Sequence, residues 1–398
     1  MKKTLGDLAK LALPMRTEKR DALATAAPYL DKEDLQALKR YLKTDRCFAV
    51  TQRFGTSAEL FEDTAWPSFK SHRGDREVDA FLGRINAAII QQSSERTFLA
   101  FAPHAIERIS GLLAQHIVGM EGAKRAAALL LFAKDPLHLL LIGDPGTGKT
   151  DILRSVQRLA PVSSFGLGSG ISGVGLSAVA KGDTVLKGLL PLADGGVACI
   201  DELNLIRPKD LASLYNAMEK GFVTYDKGTK HEQLPARVRV IATANPSTGS
   251  FIGHSAEVLR KQIPFDDPLL SRFHLIFIIR KPSEREFAEI ASRIVRGEGA
   301  TVSDADAAFI AQYVERASTV DVRIEPRLEA RIVAFVKDIK ADERKLLIEV
   351  GPRTVVGAVR TVKAIARAEL SPAATDRHID LAFALLRDAL SVRKGEPA

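Results

Sequence analysis

The stretch Gly143-Asp144-Pro145-Gly146-Thr147-Gly148-Lys149-Thr150 fits the phosphate-loop pattern G-x-x-x-x-G-K-[ST], and its flanks decide the fold. Upstream, Leu137–Ile142 is an unbroken apolar run that reads as a buried strand. Downstream, Ile152, Leu153, Val156 and Leu159 recur on one face of a helix. In such a loop the glycines let backbone N–H groups close around phosphates at the positive end of the helix. Lys149 is then placed to reach the β- and γ-phosphates, and Thr150 to put its hydroxyl on Mg²⁺.

Working outward, Gly195-Gly196-Val197-Ala198-Cys199-Ile200-Asp201-Glu202 is a second strand that delivers adjacent carboxylates to its tip. Ligands bind at that end of a parallel sheet. Asp201 suits the Mg²⁺ shell, and Glu202 suits polarising an attacking water as general base. A third strand, Val238-Arg239-Val240-Ile241-Ala242-Thr243, ends in Ala244-Asn245-Pro246. The Asn245 amide there either holds that water or serves as an ordinary turn residue. A fourth apolar run is Leu275–Ile279. Apolar runs that lead into turns and then helices read as parallel βα units, so the fold class is α/β.

The rest of the chain is read as helical. Asp31 and Asp34 open a helix with Leu35, Leu38 and Leu42 on one face, and Val78, Phe81, Leu82, Ile85 and Ile89 mark another. Phe54, Phe61, Trp66 and Phe69 between them read as a small hydrophobic cluster rather than an aromatic binding platform. Beyond about residue 283, the helical patterns are Phe309–Val314, Ile332–Ile339, Val355–Leu370 and Ile379–Leu390, the last two parted by Ser371-Pro372. The expected division is a mainly helical region over 1–103, an α/β core over 104–282 and a helical domain over 283–398.

Of the 398 residues, 46% are hydrophobic and 27% charged. That balance excludes a disordered chain, a collagen-like repeat and a disulfide-stapled miniprotein. Cys47 and Cys199 are the only cysteines, too few for a four-cysteine zinc site or a disulfide framework, which points to a reducing, intracellular setting. The longest apolar runs, Ala126–Ala133 and Leu137–Ile142, are too short to span a bilayer, so a cytoplasmic protein without membrane contact is expected. A formal charge of +8 favours an acidic partner, nucleic acid first. The basic residues are spread out, however, and a mixed solvated surface accounts for most of them.

Taken in order, five stretches resemble the MCM family of AAA+ ATPases, the replicative DNA helicases of archaea and eukaryotes. They are Gly143–Thr150, Leu192–Gly196 leading to Ile200-Asp201-Glu202, Asn216-Ala217-Met218-Glu219, Ala242–Pro246, and Asp267-Pro268-Leu269-Leu270-Ser271-Arg272-Phe273. The resemblance covers about residues 110 to 395 and implies an AAA+ P-loop core with a C-terminal helical lid. It implies ATP and Mg²⁺ as cofactors, bound by the loop residues with Asp201 and Glu202 as the acidic pair. It also implies Asn245 as first sensor, Arg272 as an arginine finger acting on a neighbouring subunit's nucleotide, and Arg353, in Gly351-Pro352-Arg353-Thr354, as second sensor. Ile117 and Val118 fall where the family packs the adenine ring. The implied partners are DNA, further copies of the chain in a ring, and other MCM or loader proteins. The implied location is with the nucleoid, or the nucleus in a eukaryotic cell.

Phe222–Tyr225, the turn residues Asp226-Lys227-Gly228, and Leu234–Val240 read as a hairpin. In the family this position carries a lysine that reaches DNA; Lys227 matches it, and Lys230 lies close by. A solvated turn lysine is the plainer alternative. Departures from the family are also visible. Only about 100 residues stand before the core, where relatives carry an OB-fold and often a zinc ribbon that two cysteines exclude. The hairpin insert over Ala178–Gly188 is short, Leu203-Asn204-Leu205 follows Glu202 where an Asp-Lys pair is usual, and His274 follows Arg272-Phe273 where Asp is usual. These departures keep open two other readings, an accessory factor that binds nucleotide without unwinding, and a magnesium-chelatase or MoxR-like remodeller of proteins.

Overall fold

A computed structural model describes residues 95–390, apart from 96, 182–183, 228–229, 298–301 and 348. The helices expected at 31–42 and 78–89, and the aromatic cluster between them, lie outside the described residues. The chain divides between Phe101 and Ala102, and all the elements below belong to the part from Ala102 onward.

Helices α1 (Ala105–Leu112) and α2 (Glu121–Leu130) lead to β1 (Leu139–Gly143) and α3 (Lys149–Leu159). Next come β2 (Ser163–Leu167), the hairpin strands β3 (Ala178–Lys181) and β4 (Thr184–Lys187), then β5 (Val197–Asp201) and α4 (Ala212–Lys220). A second hairpin, β6 (Phe222–Lys227) with β7 (Lys230–Pro235), precedes β8 (Arg239–Ala244) and β9 (Leu275–Ile279). Helices α5 (Glu284–Val295), α6 (Asp304–Ser318), α7 (Pro326–Ala341), α8 (Pro352–Ala368) and α9 (Asp376–Leu390) follow.

Strands β2, β5, β8, β1 and β9 form one sheet in that spatial order, every pair parallel. Every residue of β1 and β5 is buried, as a parallel sheet covered on both faces requires. One face packs Leu140, Ile142, Ile200 and Val240 against Leu214, Met218 and Phe273. On the other, α3 lies across β2, β5 and β8 and buries Ile152, Leu153, Val156 and Leu159. The chain leaves β1 for β2 on one side while β9 pairs on the other, so the sheet's switch point falls at the tip of β1.

Two outcomes differ from the sequence expectation. The edge strand β2 carries Ser163-Ser164 and is only partly buried, so no apolar run marks it. The expected strand Leu234–Val240 is two strands in two sheets, since β7 ends at Pro235 and β8 begins at Arg239. Ala236 N–H still bonds to Gly221 O at 2.8 Å, in register with the hairpin, and the chain leaves that ladder before β8 joins the main sheet.

Beneath the sheet, the His138 and His274 rings lie 5.3 Å apart between centroids, tilted by 43°. His138 Nδ1 accepts from Val240 N–H at 3.0 Å, which assigns the proton to Nε2 and lets it donate to Met218 O at 3.2 Å. Burial pushes His138 down to about 3 and holds His274 well below the ordinary histidine value, so both rings are neutral at pH 7.

Candidate nucleotide-binding site

At the tip of β1 the loop turns through two left-handed glycines, Gly146 at φ 74° and Gly148 at φ 84°. Gly148 has a second constraint, because a Cβ there would lie 2.6 Å from Ile117 Cδ1. No side chain caps α3, so its first N–H groups point into the loop. Lys149 Nζ donates to Gly143 O at 2.8 Å and Asp144 O at 2.6 Å, which curls the ammonium back under the loop. Burial pushes Lys149 down to about 8 from its ordinary 10.5, while Asp144 and Asp201 pull the other way. A phosphate chain in this cradle would exchange carbonyl dipoles for full negative charge on the same ammonium.

The acidic side comes from the neighbouring strand tips. Thr150 Oγ1 donates to Asp201 Oδ2 at 2.9 Å, and Thr243 Oγ1, from β8, donates to Asp201 Oδ1 at 2.5 Å. Glu202 N–H donates to the same Thr243 hydroxyl at 2.9 Å. Glu202 itself stands in the left-handed region at φ 53°, ψ 46°, which swings the backbone off the line of β5. Asn245 N–H donates to Asn204 Oδ1 at 3.2 Å. Sequence reasoning missed Thr243 and Asn204, because each acts across a strand boundary with no local signal.

Residues Pro145 to Thr150 line a cleft of about 1600 Å³ together with Asp201, Glu202, Asn245, Ile117 and Val118. Gly143 and Asp144 are behind it. The buried Asp144 carboxylate accepts Phe251 N–H at 2.8 Å and Lys281 N–H at 3.1 Å, tying the loop to the segment after β8 and to the start of the C-terminal helices. Thr150 and Asp201 offer hard oxygen donors side by side. No group of three or more His, Cys, Asp or Glu able to hold a metal occurs among the described residues. That set fits Mg²⁺, which keeps waters and substrate phosphates in its shell and needs only one or two protein oxygens.

Arg272 and Arg353 do not line this cleft. A single turn capped by Asp266, whose carboxylate accepts Leu269 N–H, presents Arg272 beside α4. Its guanidinium pairs with Glu219 at 2.7 Å and lies 4.8 Å over the Tyr215 ring. Arg353, in the first turn of α8, reaches the other Glu219 oxygen at 3.3 Å and donates to Ser271 Oγ at 2.8 Å. Two arginines far apart in sequence thus share one carboxylate on one face. Lys227 and Lys230 stand opposite each other in the backbone register of the β6–β7 hairpin, and their side chains lie outside the described structure.

The sheet order, with a glycine loop joining its switch-point strand to a helix, is that of an AAA+ P-loop NTPase core. Within that class, the MCM P-loop domain matches residues 94–298, and the chain belongs to the MCM family. It is 33% identical over 347 residues to DNA replication licensing factor MCM4 of Arabidopsis thaliana, covering 79% of this chain and 41% of that protein. It is 30% identical over 331 residues to the minichromosome maintenance protein MCM of Saccharolobus solfataricus, covering 76% and 48%. It is 29% identical over 332 residues to DNA replication licensing factor MCM5 of Oryza sativa subsp. indica, covering 73% and 45%. The chain spans about half the length of the curated relatives it matches. Among the described residues, no helix is long and apolar enough to cross a membrane.

Proposed function

We propose that this chain binds and hydrolyses Mg-ATP in the cleft at the tip of β1 and couples turnover to DNA, as a translocating ATPase of the MCM type. The observation that carries the hydrolytic reading is the Thr150–Asp201 contact at 2.9 Å, with Lys149 and Glu202 lining the same cleft. Pro145 to Gly148 and the N-terminus of α3 cradle the phosphates, and Lys149 neutralises charge on the β- and γ-groups. Thr150 and Asp201 would hold Mg²⁺, which would further neutralise the phosphate charge. Glu202 takes the proton of the attacking water, and Asn245 orients that water. Ile117 and Val118 pack the base.

Arg272 and Arg353 sit off the cleft of their own chain, which suits service to a nucleotide held by an adjacent copy. This supports a ring of like subunits, with other MCM or loader proteins as further partners and the nucleoid or nucleus as the place of action. Residues 104–282 form the ATPase core and 283–398 its lid. At the β6–β7 tip, Lys227 and Lys230 stand opposite each other in the backbone register, and two lysines in one tight turn suit a polyanion. Phosphate backbone is such a polyanion, and contact with it is blind to sequence.

The test is ATP turnover of the full chain with and without DNA, beside Glu202→Gln. The variant is expected to bind ATP as the parent does while turnover falls by about 10²–10⁴. DNA is expected to stimulate the parent. Parent-like turnover in Glu202→Gln removes the catalytic assignment; ATP hydrolysis that DNA never stimulates removes the DNA coupling and favours a protein remodeller.

A further inference from the structure

The segment that carries Ile117 and Val118 has little regular structure of its own. It is bounded by two left-handed residues, Ala114 at φ 42° and Gly119 at φ 83°, and its backbone carbonyls are held from outside. Lys124, in α2, donates Nζ to Ala114 O at 2.8 Å and to Ile117 O at 2.7 Å. Arg293, in α5, donates to Gln115 O at 2.8 Å. Glu121 accepts Gly119 N–H at 3.2 Å. One half-buried ammonium therefore spans both ends of the turn that places Ile117 over the phosphate loop.

We propose that Lys124 is a positioning residue for base recognition: by holding the Ala114 and Ile117 carbonyls it fixes the apolar edge against which the nucleotide base packs. The proposal rests on the reading of this cleft as an ATP site. Its chemistry is local to the base. Lys124 takes no part in the loop–Lys149 cradle, so phosphate affinity is left to that cradle. Replacing the ammonium by a thioether leaves Ile117 O without its donor and Ala114 O with Ile117 N–H alone, at 2.9 Å, so the tie that fixes the two carbonyls relative to α2, and with them Ile117 and Val118, is lost. The environment agrees with a strained but purposeful placement. Burial pushes Lys124 down to about 8, Glu121 beside it opposes that fall, and Arg293 adds to it.

The experiment compares ADP with inorganic pyrophosphate, each titrated with Mg²⁺ into the full chain by calorimetry. The difference between the two reports the base and ribose alone. In Lys124→Met, ADP affinity is expected to fall about tenfold, the size expected for losing a charge-assisted hydrogen bond, with pyrophosphate affinity changed less than about twofold. Lys124→Arg, which keeps charge and donors, is expected to stay within about threefold of the parent ratio. Lys124→Gln, which keeps one arm, falls between and serves equally where the methionine variant does not fold. An ADP-to-pyrophosphate ratio unchanged in the Met and Gln variants, or an equal loss of both ligands, overturns the positioning role. A parent protein that binds pyrophosphate as tightly as ADP overturns the base-packing reading of Ile117 and Val118 itself, and the positioning role with it.

Discussion

Arg272 and Glu219 meet at 2.7 Å, and the carboxylate that holds Arg272 also reaches Arg353. Glu219 is about half exposed, so this pairing is a weak one, on the order of 0.2–1 kcal/mol per contact. A γ-phosphate carries more charge than a carboxylate and competes easily for both guanidinium groups. Arg272→Ala and Lys149→Ala are each expected to be inactive alone, the first because the proposed finger would contribute roughly 10³–10⁵ in rate and the second because it loses the charge facing the phosphates. Mixed, they should regain part of the parent ATPase rate, since some interfaces then join an intact finger to an intact loop. No recovery in a mixture shown to co-assemble would place the finger elsewhere.

Among the described residues, the Asp144 carboxylate alone accepts the Phe251 and Lys281 N–H groups. Leaving the buried Phe251 donor unmet costs about 1–3 kcal/mol, and the Lys281 donor, on an exposed residue that water can reach, costs less. Asp144→Ala should therefore lose about 2–4 kcal/mol of unfolding free energy in urea, and Asp144→Asn, which keeps one acceptor, about half as much. A parent-like midpoint for Asp144→Ala would show that the ties are dispensable.

Stability should fall on acidification. His138 has a folded value near 3 against about 6.5 when unfolded, so below pH 6.5 the unfolded chain binds the extra proton. The stabilisation is complete above 6.5 and is lost as pH drops toward 3, at about 1.4 kcal/mol per pH unit for one ring. Between pH 7 and 5 the chain should lose about 2 kcal/mol from His138, with His274 adding in the same direction. Chemical unfolding at the two pH values checks this, and a flat response would mean that the rings are protonated in place.

Lys227→Ala should weaken DNA binding about equally for all sequences and lower the slope of affinity against salt by about 1. Filter-binding or anisotropy titrations at several salt concentrations measure both. An unchanged slope would leave Lys227 as a solubilising turn residue.

The site was legible where its residues are contiguous. Gly143–Thr150 and Ile200-Asp201-Glu202 each state a strand end and its cargo within a few positions. It was illegible where pairing between strands assembles the candidate site. Thr243 gains its place only because β8 lies beside β5, and Asn204 only because the chain after Glu202 folds under Asn245. The meeting of Arg353 with Ser271 and Glu219 depends on how α8 packs, which no spacing encodes. The strand β2 escaped notice because an edge strand with two serines has no need of an apolar pattern.

Glu202 occupies a backbone conformation that penalises any side chain with a Cβ by about 1–2 kcal/mol. Glycine is free of that penalty. Glu202→Gly is therefore expected to melt no lower than the parent, and by up to a few degrees higher, while ceasing to turn over ATP. A screen that selects for thermal tolerance alone would drift toward disabling the chain at the very position on which its proposed chemistry turns.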